Sequence, residues 1–241
     1  GYRAVHEMTV TAKDVIKAFH DKAPQYSYWN GCSTGGRQGL KEAQQFPADF
    51  DGIIAGAPAN PRTRLSTWQM WIAHAVLKDP ASYIPPGKYP MIHKAALETC
   101  DANDGLQDGL IDDPRWCRFD PKVLLCKEGD SAACLTAPQV EAAKTILSPV
   151  TNPRNGDELF ARTEPGTELG WGVTAKGPEP FAAAVDQYKY VVFADPNWDW
   201  RTMNFDTDPE RADRVDNNTI NAISLDLRPF REHGGKLFMY H

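Results

Sequence analysis

Gly31-Cys32-Ser33-Thr34-Gly35-Gly36 sets a serine between glycines two residues before and two residues after it. That spacing suits a nucleophile elbow, a tight strand-to-helix bend that lifts a hydroxyl above a sheet edge. Glycines at the two flanking positions let strand and helix backbones approach without Cβ clashes. Ser33 is the candidate nucleophile. Thr34 would open the helix, and its N–H is the candidate donor to a developing oxyanion, aided by the helix dipole. The competing reading is a phosphate-holding glycine loop around an ordinary serine. The Gly-Lys-Ser/Thr ending of a Walker loop is absent.

A second chemical signal is Asp101-Ala102-Asn103-Asp104-Gly105-Leu106-Gln107-Asp108-Gly109-Leu110, with carboxylates at spacings of three and four. Hard oxygen donors on a tightly turning loop suit Ca²⁺, and backbone carbonyls can complete the shell. The run is not an EF-hand, because Gly105 stands where that loop needs a side-chain oxygen. A solvated acidic turn is the alternative.

Five cysteines are present, and Cys100, Cys117, Cys126 and Cys134 fall within 35 residues of one another. No C-x-x-C pair supports zinc. The simplest pairing is Cys100–Cys117 and Cys126–Cys134, which would clamp the acidic loop and implies an oxidising compartment. Cys32 is left over, either as a small buried thiol or with a partner outside this chain.

The elements that must position Ser33 read as helix, strand, elbow, helix, strand. Thr11-Ala12-Lys13-Asp14 resembles a capping box, and Val15, Ile16 and Phe19 predict the buried stripe of a helix to about Ala23. Tyr26 to Trp29 are strand formers, 37–46 reads as a helix stopped by Pro47, and 50–57 reads as a buried strand. This is a doubly wound α/β pattern. Residues 59–226 change texture, rich in Pro, Asp, Asn and Trp, with helices predicted at 67–77, 89–99 and 138–146, the last capped by Thr136. Another helix is predicted from Phe181 toward Phe193. A short helix at 227–233, ended by Gly234-Gly235, and a buried strand at 236–240 restore the α/β texture. The predicted organisation is an α/β core at 1–58, an inserted lid at 59–226 and a return to the core at 227–241.

The sequence has 241 residues, 41% apolar and 24% charged, with a net charge of −6. The charge argues against nucleic acid or an anionic membrane surface as partner. No apolar run approaches the ~20 residues of a membrane span, and the chain opens on Gly1-Tyr2-Arg3 without the charged start and apolar core of a leader. His6, His74 and His93 read as structural, or for the last two as substrate-facing. Trp68, Trp71, Trp171, Trp198 and Trp200 can stack on an aromatic ring or fill a core. Asn217-Asn218-Thr219 matches the short glycosylation pattern.

Asn30-Gly31-Cys32-Ser33-Thr34-Gly35-Gly36-Arg37-Gln38-Gly39, followed by Phe46-Pro47-Ala48-Asp49-Phe50-Asp51-Gly52-Ile53, closely resembles the tannase and feruloyl esterase family, as does the acidic loop opened by Cys100. The resemblance runs the length of the chain. It implies a partial α/β-hydrolase fold with a large inserted lid, in a secreted serine esterase acting on small aromatic esters. It implies that Ser33 is the nucleophile and Thr34 an oxyanion donor. It also implies that Asp101, Asp104 and Asp108, with the carbonyls of Leu106 and Leu110, hold a structural Ca²⁺. Cys32 matches a family cysteine bonded to one that follows the catalytic histidine. Tyr240-His241 resembles the start of a stretch whose aspartate is the triad acid, so the acid and the histidine are expected beyond residue 241, and His241 is expected to touch substrate. Without them the chain reads as an internal fragment. Asp226 with His233 is the replacement pair the sequence offers. Hydrolysis of other aromatic esters, such as terephthalate monoesters, and an inactive calcium-binding module are the alternatives.

Overall fold

Nothing between residues 2 and 20 interrupts a helix, since that stretch lacks Gly and Pro, and α1 runs Tyr2–His20. The computed structural model describes residues 2–241. Thr11 therefore lies inside α1 and is not its cap. The predicted buried stripe is also corrected: Val15, Ile16 and Phe19 are 62%, 40% and 80% exposed. The packed side of α1 is polar. The His6 Nδ1 lies 2.7 Å from the Asp49 carboxylate, and its ring stacks on Phe46 at 3.9 Å. Lys13 Nζ donates to the Asp49 carbonyl at 2.6 Å. These contacts outweigh the apolar pattern in orienting the helix.

Strand β1 is Tyr28–Cys32, helix α2 Thr34–Gln45 and strand β2 Gly52–Gly56. Tyr26 precedes the strand that it was expected to open. Helix α3, Arg62–Leu77, begins earlier than predicted, and along it the chain leaves one compact unit, Gly1–Leu65 with Ala212–His241, for another, Ser66–Arg211.

In the second unit α4 is Tyr89–Cys100 and α5 Ala137–Ile146. The Thr136 hydroxyl accepts from the Gln139 N–H, and the Gln139 side chain reaches back to the Thr136 N–H, a full capping box. A two-stranded antiparallel ribbon joins β3, Val150–Thr151, to β4, Glu158–Phe160. Short helices α6, Gly172–Ala175, and α7, Ala182–Asp186, follow. The predicted continuation toward Phe193 widens into a π-helical turn at Gln187–Val192. Ile72, Val76, Ile92, Leu135, Val140 and Ile146 are almost fully buried in one core. Cys100 pairs with Cys117, and Cys126 with Cys134, the simplest pairing of the four.

The chain returns through α8, Asp208–Asp216, to α9, Arg228–Glu232, and β5, Lys236–Tyr240. The three long strands form a parallel sheet in the order β1-β2-β5, with Cys32, Gly56 and Tyr240 in register. Leu40, Ala43, Phe50, Ile53, Ala55 and Phe230 fill one face. On the opposite face Tyr28, Ile54, Phe238 and Tyr240 are exposed, so β5 is not the buried strand its composition predicts. Helices α2 and α9 lie against one side only.

The units divide at 65/66 and 211/212, where 58/59 and 226/227 were expected. Hydrogen bonds explain the shift. Asn60 and Ala222 exchange two, side chain to backbone, at 2.9 and 2.8 Å, and the Thr63 N–H donates to Asn221 Oδ1 at 3.2 Å. Those pairs tie both crossing segments to the sheet-bearing unit.

Candidate active site

Ser33 has φ 58° and ψ −114°, a conformation that L-residues rarely adopt, and its side chain is exposed. Such backbone costs about 1–3 kcal/mol and persists only where its surroundings enforce it. Here the Ser33 N–H donates to the Gly56 carbonyl at 2.9 Å, and the Ser33 carbonyl accepts from Arg37 N at 3.1 Å and Ala59 N at 3.0 Å. A Cβ on Gly31 would stand 2.6 Å from the Gly35 carbonyl carbon, and one on Gly36 would run into the Gly56 carbonyl. Both glycines are therefore required by close approach. The Ser33 hydroxyl makes no capping bond to α2. Thr34 is the first residue of α2, where backbone N–H groups lack intrahelical partners.

Because the strands are parallel and Cys32, Gly56 and Tyr240 are in register, Ser33, Ala57 and His241 all emerge at the carboxyl edge of the sheet. In open α/β sheets that is the edge where ligands bind. The Ala57 N–H donates to the Tyr240 carbonyl at 2.7 Å, which closes this end of the sheet. Two strand spacings, about 10 Å, separate the backbones of β1 and β5. His241 is thus brought to the edge where Ser33 stands, but not adjacent to it. Cys32 is a free, exposed thiol, so the expected small buried thiol is corrected.

Among the described residues no histidine is hydrogen-bonded to Ser33. His74 Nε2 lies 2.7 Å from the Trp200 carbonyl, and burial pushes its pKa down. His93 Nδ1 lies 2.9 Å from the fully buried Glu168 carboxylate. The Asp226–His233 pair does not form. Asp226 forks instead with Arg228 at 2.8 and 2.6 Å, and this partner holds its carboxyl down at about 2. Trp171 and Trp200 are core residues. Trp198 stacks on Phe193 and on Tyr188, at 5.2 and 5.6 Å, in a cluster in which those two rings also meet, at 6.4 Å.

The acidic loop is exposed and tethered by the Cys100–Cys117 bridge. The Asp101 carboxylate accepts from the Asp108 and Gly109 N–H groups, Asp104 Oδ1 from Leu106 N and Asp108 Oδ1 from Leu110 N. The donor set, three carboxylates with the Leu106 and Leu110 carbonyls, suits a hard cation chemically. Among the described residues no three acidic, His or Cys side chains converge as a metal site; the carboxylates fold onto their own loop.

Several supports of α2 escape sequence reasoning. Trp29 Nε1 donates to the Gly35 carbonyl at 2.9 Å. Arg37 Nη1 donates to the Ile220 carbonyl at 3.0 Å, and Lys41 Nζ to those of Asn218 and Asn221. Burial lowers the pKa of both cations, with Asp216 opposing. Glu42 is fully buried, and burial followed by the charge of Asp49 pushes it up to about 7. Neither Glu42 oxygen has a hydrogen-bond partner, and the burial that raises its pKa favours the neutral acid. Its only sequence signal is a carboxylate on the same helical face as Gly39.

A parallel sheet with a strained serine between strand and helix defines the partial α/β-hydrolase class. The chain matches the family described as "Tannase and feruloyl esterase" over residues 1–241, and belongs to it. It is 38% identical over 244 residues to a probable feruloyl esterase B-2 of Aspergillus terreus, a match covering 100% of this chain and 46% of that one. It is 40% identical over 258 residues to an uncharacterized esterase of Xanthomonas campestris pv. campestris, covering 100% and 45%. The crystal structure of feruloyl esterase B from Aspergillus oryzae matches with a TM-score of 0.89 at 37% identity, over 100% of this chain and 49% of that one. The chain thus spans about half the length of the curated relatives it matches.

Proposed function

We propose that the whole protein is a serine carboxylesterase hydrolysing small esters of phenolic acids, feruloyl or galloyl esters being the class. The observation that carries this is the φ 58° conformation of an exposed Ser33 between β1 and α2. A general base takes the Ser33 Oγ proton as the oxygen attacks the ester carbonyl. The tetrahedral oxyanion accepts the Thr34 N–H, and collapse expels the alcohol, which leaves with that proton. Water then attacks the acyl-enzyme and releases the acid and the free serine. The base and its acid partner are expected outside residues 1–241. His241, at the same sheet edge, contacts the substrate, because about 10 Å from the β1 backbone is within the span of such an ester.

Asp101, Asp104 and Asp108 with the carbonyls of Leu106 and Leu110 would hold a structural Ca²⁺. The ion would neutralise the loop's clustered charge and has no part in the ester chemistry. Secretion is supported by the two disulfides.

The test is Ser33→Ala in the whole protein, assayed on methyl ferulate and methyl gallate. Turnover should fall by about 10⁴-fold or more with an unchanged melting temperature. Retained turnover would remove Ser33 from the role, and unreactive wild-type serine toward a fluorophosphonate would favour an inactive relative.

A further inference from the structure

The backbone around Ser33 is restrained from three directions, and only one restraint comes from a side chain of β1. The Ser33 N–H is fixed by the end of β2, and its carbonyl by Arg37 N and Ala59 N. The Gly35 carbonyl, two residues past the serine, accepts the indole N–H of Trp29 at 2.9 Å. Gly35 belongs to the first turn of α2, the turn that begins with the Thr34 N–H.

The indole is itself held. Trp29 lies edge-on to Phe50 with ring centroids 5.5 Å apart. Its Cδ1 and Nε1 occupy the space that a Cβ on Gly39 would need, at 2.6 and 2.8 Å. The absent side chain at Gly39 thus makes the recess that lets the indole reach a carbonyl one turn earlier. A phenylalanine or leucine would supply similar apolar bulk at this half-buried position. The hydrogen bond adds what bulk cannot: it fixes the first turn of α2 against β1. Oxyanion donors act through preorganisation, and misplacement by fractions of an ångström is felt in the rate.

We infer that Trp29 is a positioning residue for the ester hydrolysis, its indole N–H anchoring the turn that carries the oxyanion donor. This rests on the assignment of Ser33 as nucleophile. Trp29 does not touch substrate; it acts through the Gly35 carbonyl.

The test uses the whole protein with Trp29 replaced by benzothienylalanine, which keeps the fused-ring shape and lacks the N–H, and in parallel Trp29→Phe. Loss of one such bond predicts a fall of about fivefold in kcat and in the rate of fluorophosphonate labelling, with KM unchanged and the melting temperature lowered by no more than about 4 °C. An unchanged kcat in the benzothienylalanine protein overturns the inference. So does a fall in kcat accompanied by an equal rise in KM, or by a melting temperature lowered by about 10 °C or more, because a packing role alone would give either. Should Trp29→Phe fail to fold, the benzothienylalanine result still decides. Ser33→Ala in the same assay keeps the two claims apart. If Ser33→Ala still turns over ester, the nucleophile assignment falls; if it is dead while the Trp29 variant is normal, only the positioning role falls.

Discussion

The two units close their cores to different extents. In 66–211, Ile84, Ile92, Leu135 and Ala143 are at most 1% exposed, and two disulfides cross-link the surrounding loops. The sheet-bearing unit fills one face of its sheet with Ile53 and Ala55 and leaves Tyr28, Ile54 and Phe238 on the other face in solvent. Parallel sheets ordinarily have both faces covered. The 66–211 unit therefore closes a core of its own. The unit bearing Ser33 depends on a single packed face and on hydrogen bonds that pin α2.

The largest expected effect separates the units directly. Opening the 17-residue separation between Cys100 and Cys117 with Cys117→Ala should cost about 3 kcal/mol in the chain-entropy description. Amide exchange should accelerate through 66–211 while 28–56 keeps its protection. Equal acceleration in both would show that they unfold as one cooperative body and would end the comparison.

Calcium sharpens the same contrast. If the acidic loop binds the ion, calcium at a hundred times its dissociation constant adds about 2.7 kcal/mol, and EDTA should lower the melting temperature of 66–211. A melt indifferent to EDTA counts against the site.

A smaller effect belongs to the sheet-bearing unit alone. Glu42 feels the charge of Asp49, whose carboxylate meets His6 Nδ1 and whose backbone carbonyl accepts from Lys13, both from α1. Its folded pKa is raised, so its stabilising contribution is complete below the ordinary carboxylate range of about 4.3 and is lost as pH rises through about 7. Glu42→Gln keeps the shape of the side chain and cannot ionise. It should leave stability at pH 4 nearly unchanged and raise it by about 2 kcal/mol at pH 6. Parallel melting curves for the two proteins across that interval would show that Glu42 ionises as an ordinary carboxylate does.

How far the sequence reveals this molecule follows from the range of the forces involved. The elbow was legible because the Gly31 requirement comes from Gly35, only four residues on, and the Thr136 cap because its partner is Gln139; the Gly36 requirement comes from Gly56, across the sheet. Cys100–Cys117 and Cys126–Cys134 were legible because short loops close most readily. The side on which α1 packs was not. Val15, Ile16 and Phe19 mark an amphipathic helix correctly, but the choice of face was made by Asp49, which the fold brings from beyond α2. Trp29, read only as a strand former, meets Gly35 through the bend at Ser33, and Glu42 acquires its raised pKa from burial that no local pattern encodes.

The smallest expected effect bears on the open sheet face itself. Phe238 is 61% exposed, although it is in register with Ile54 in the middle of a parallel sheet. In residues 1–241, Phe238→Ser removes little buried area and should shift stability by less than about 0.5 kcal/mol. Ile53, 2% exposed on the opposite face, provides the contrast, since Ile53→Ala should cost about 2–5 kcal/mol. A large loss from Phe238→Ser in residues 1–241 would mean that this face is covered in solution, by a second copy or by another segment. A small loss there and a loss of about 3 kcal/mol or more in the whole protein, the range for a buried aromatic ring, would place the cover of this face outside residues 1–241. Equal, small losses in both would leave the sheet one-sided in the longer protein as well, and the serine's bend would then be held by the contacts of Gly56, Arg37, Ala59 and Trp29.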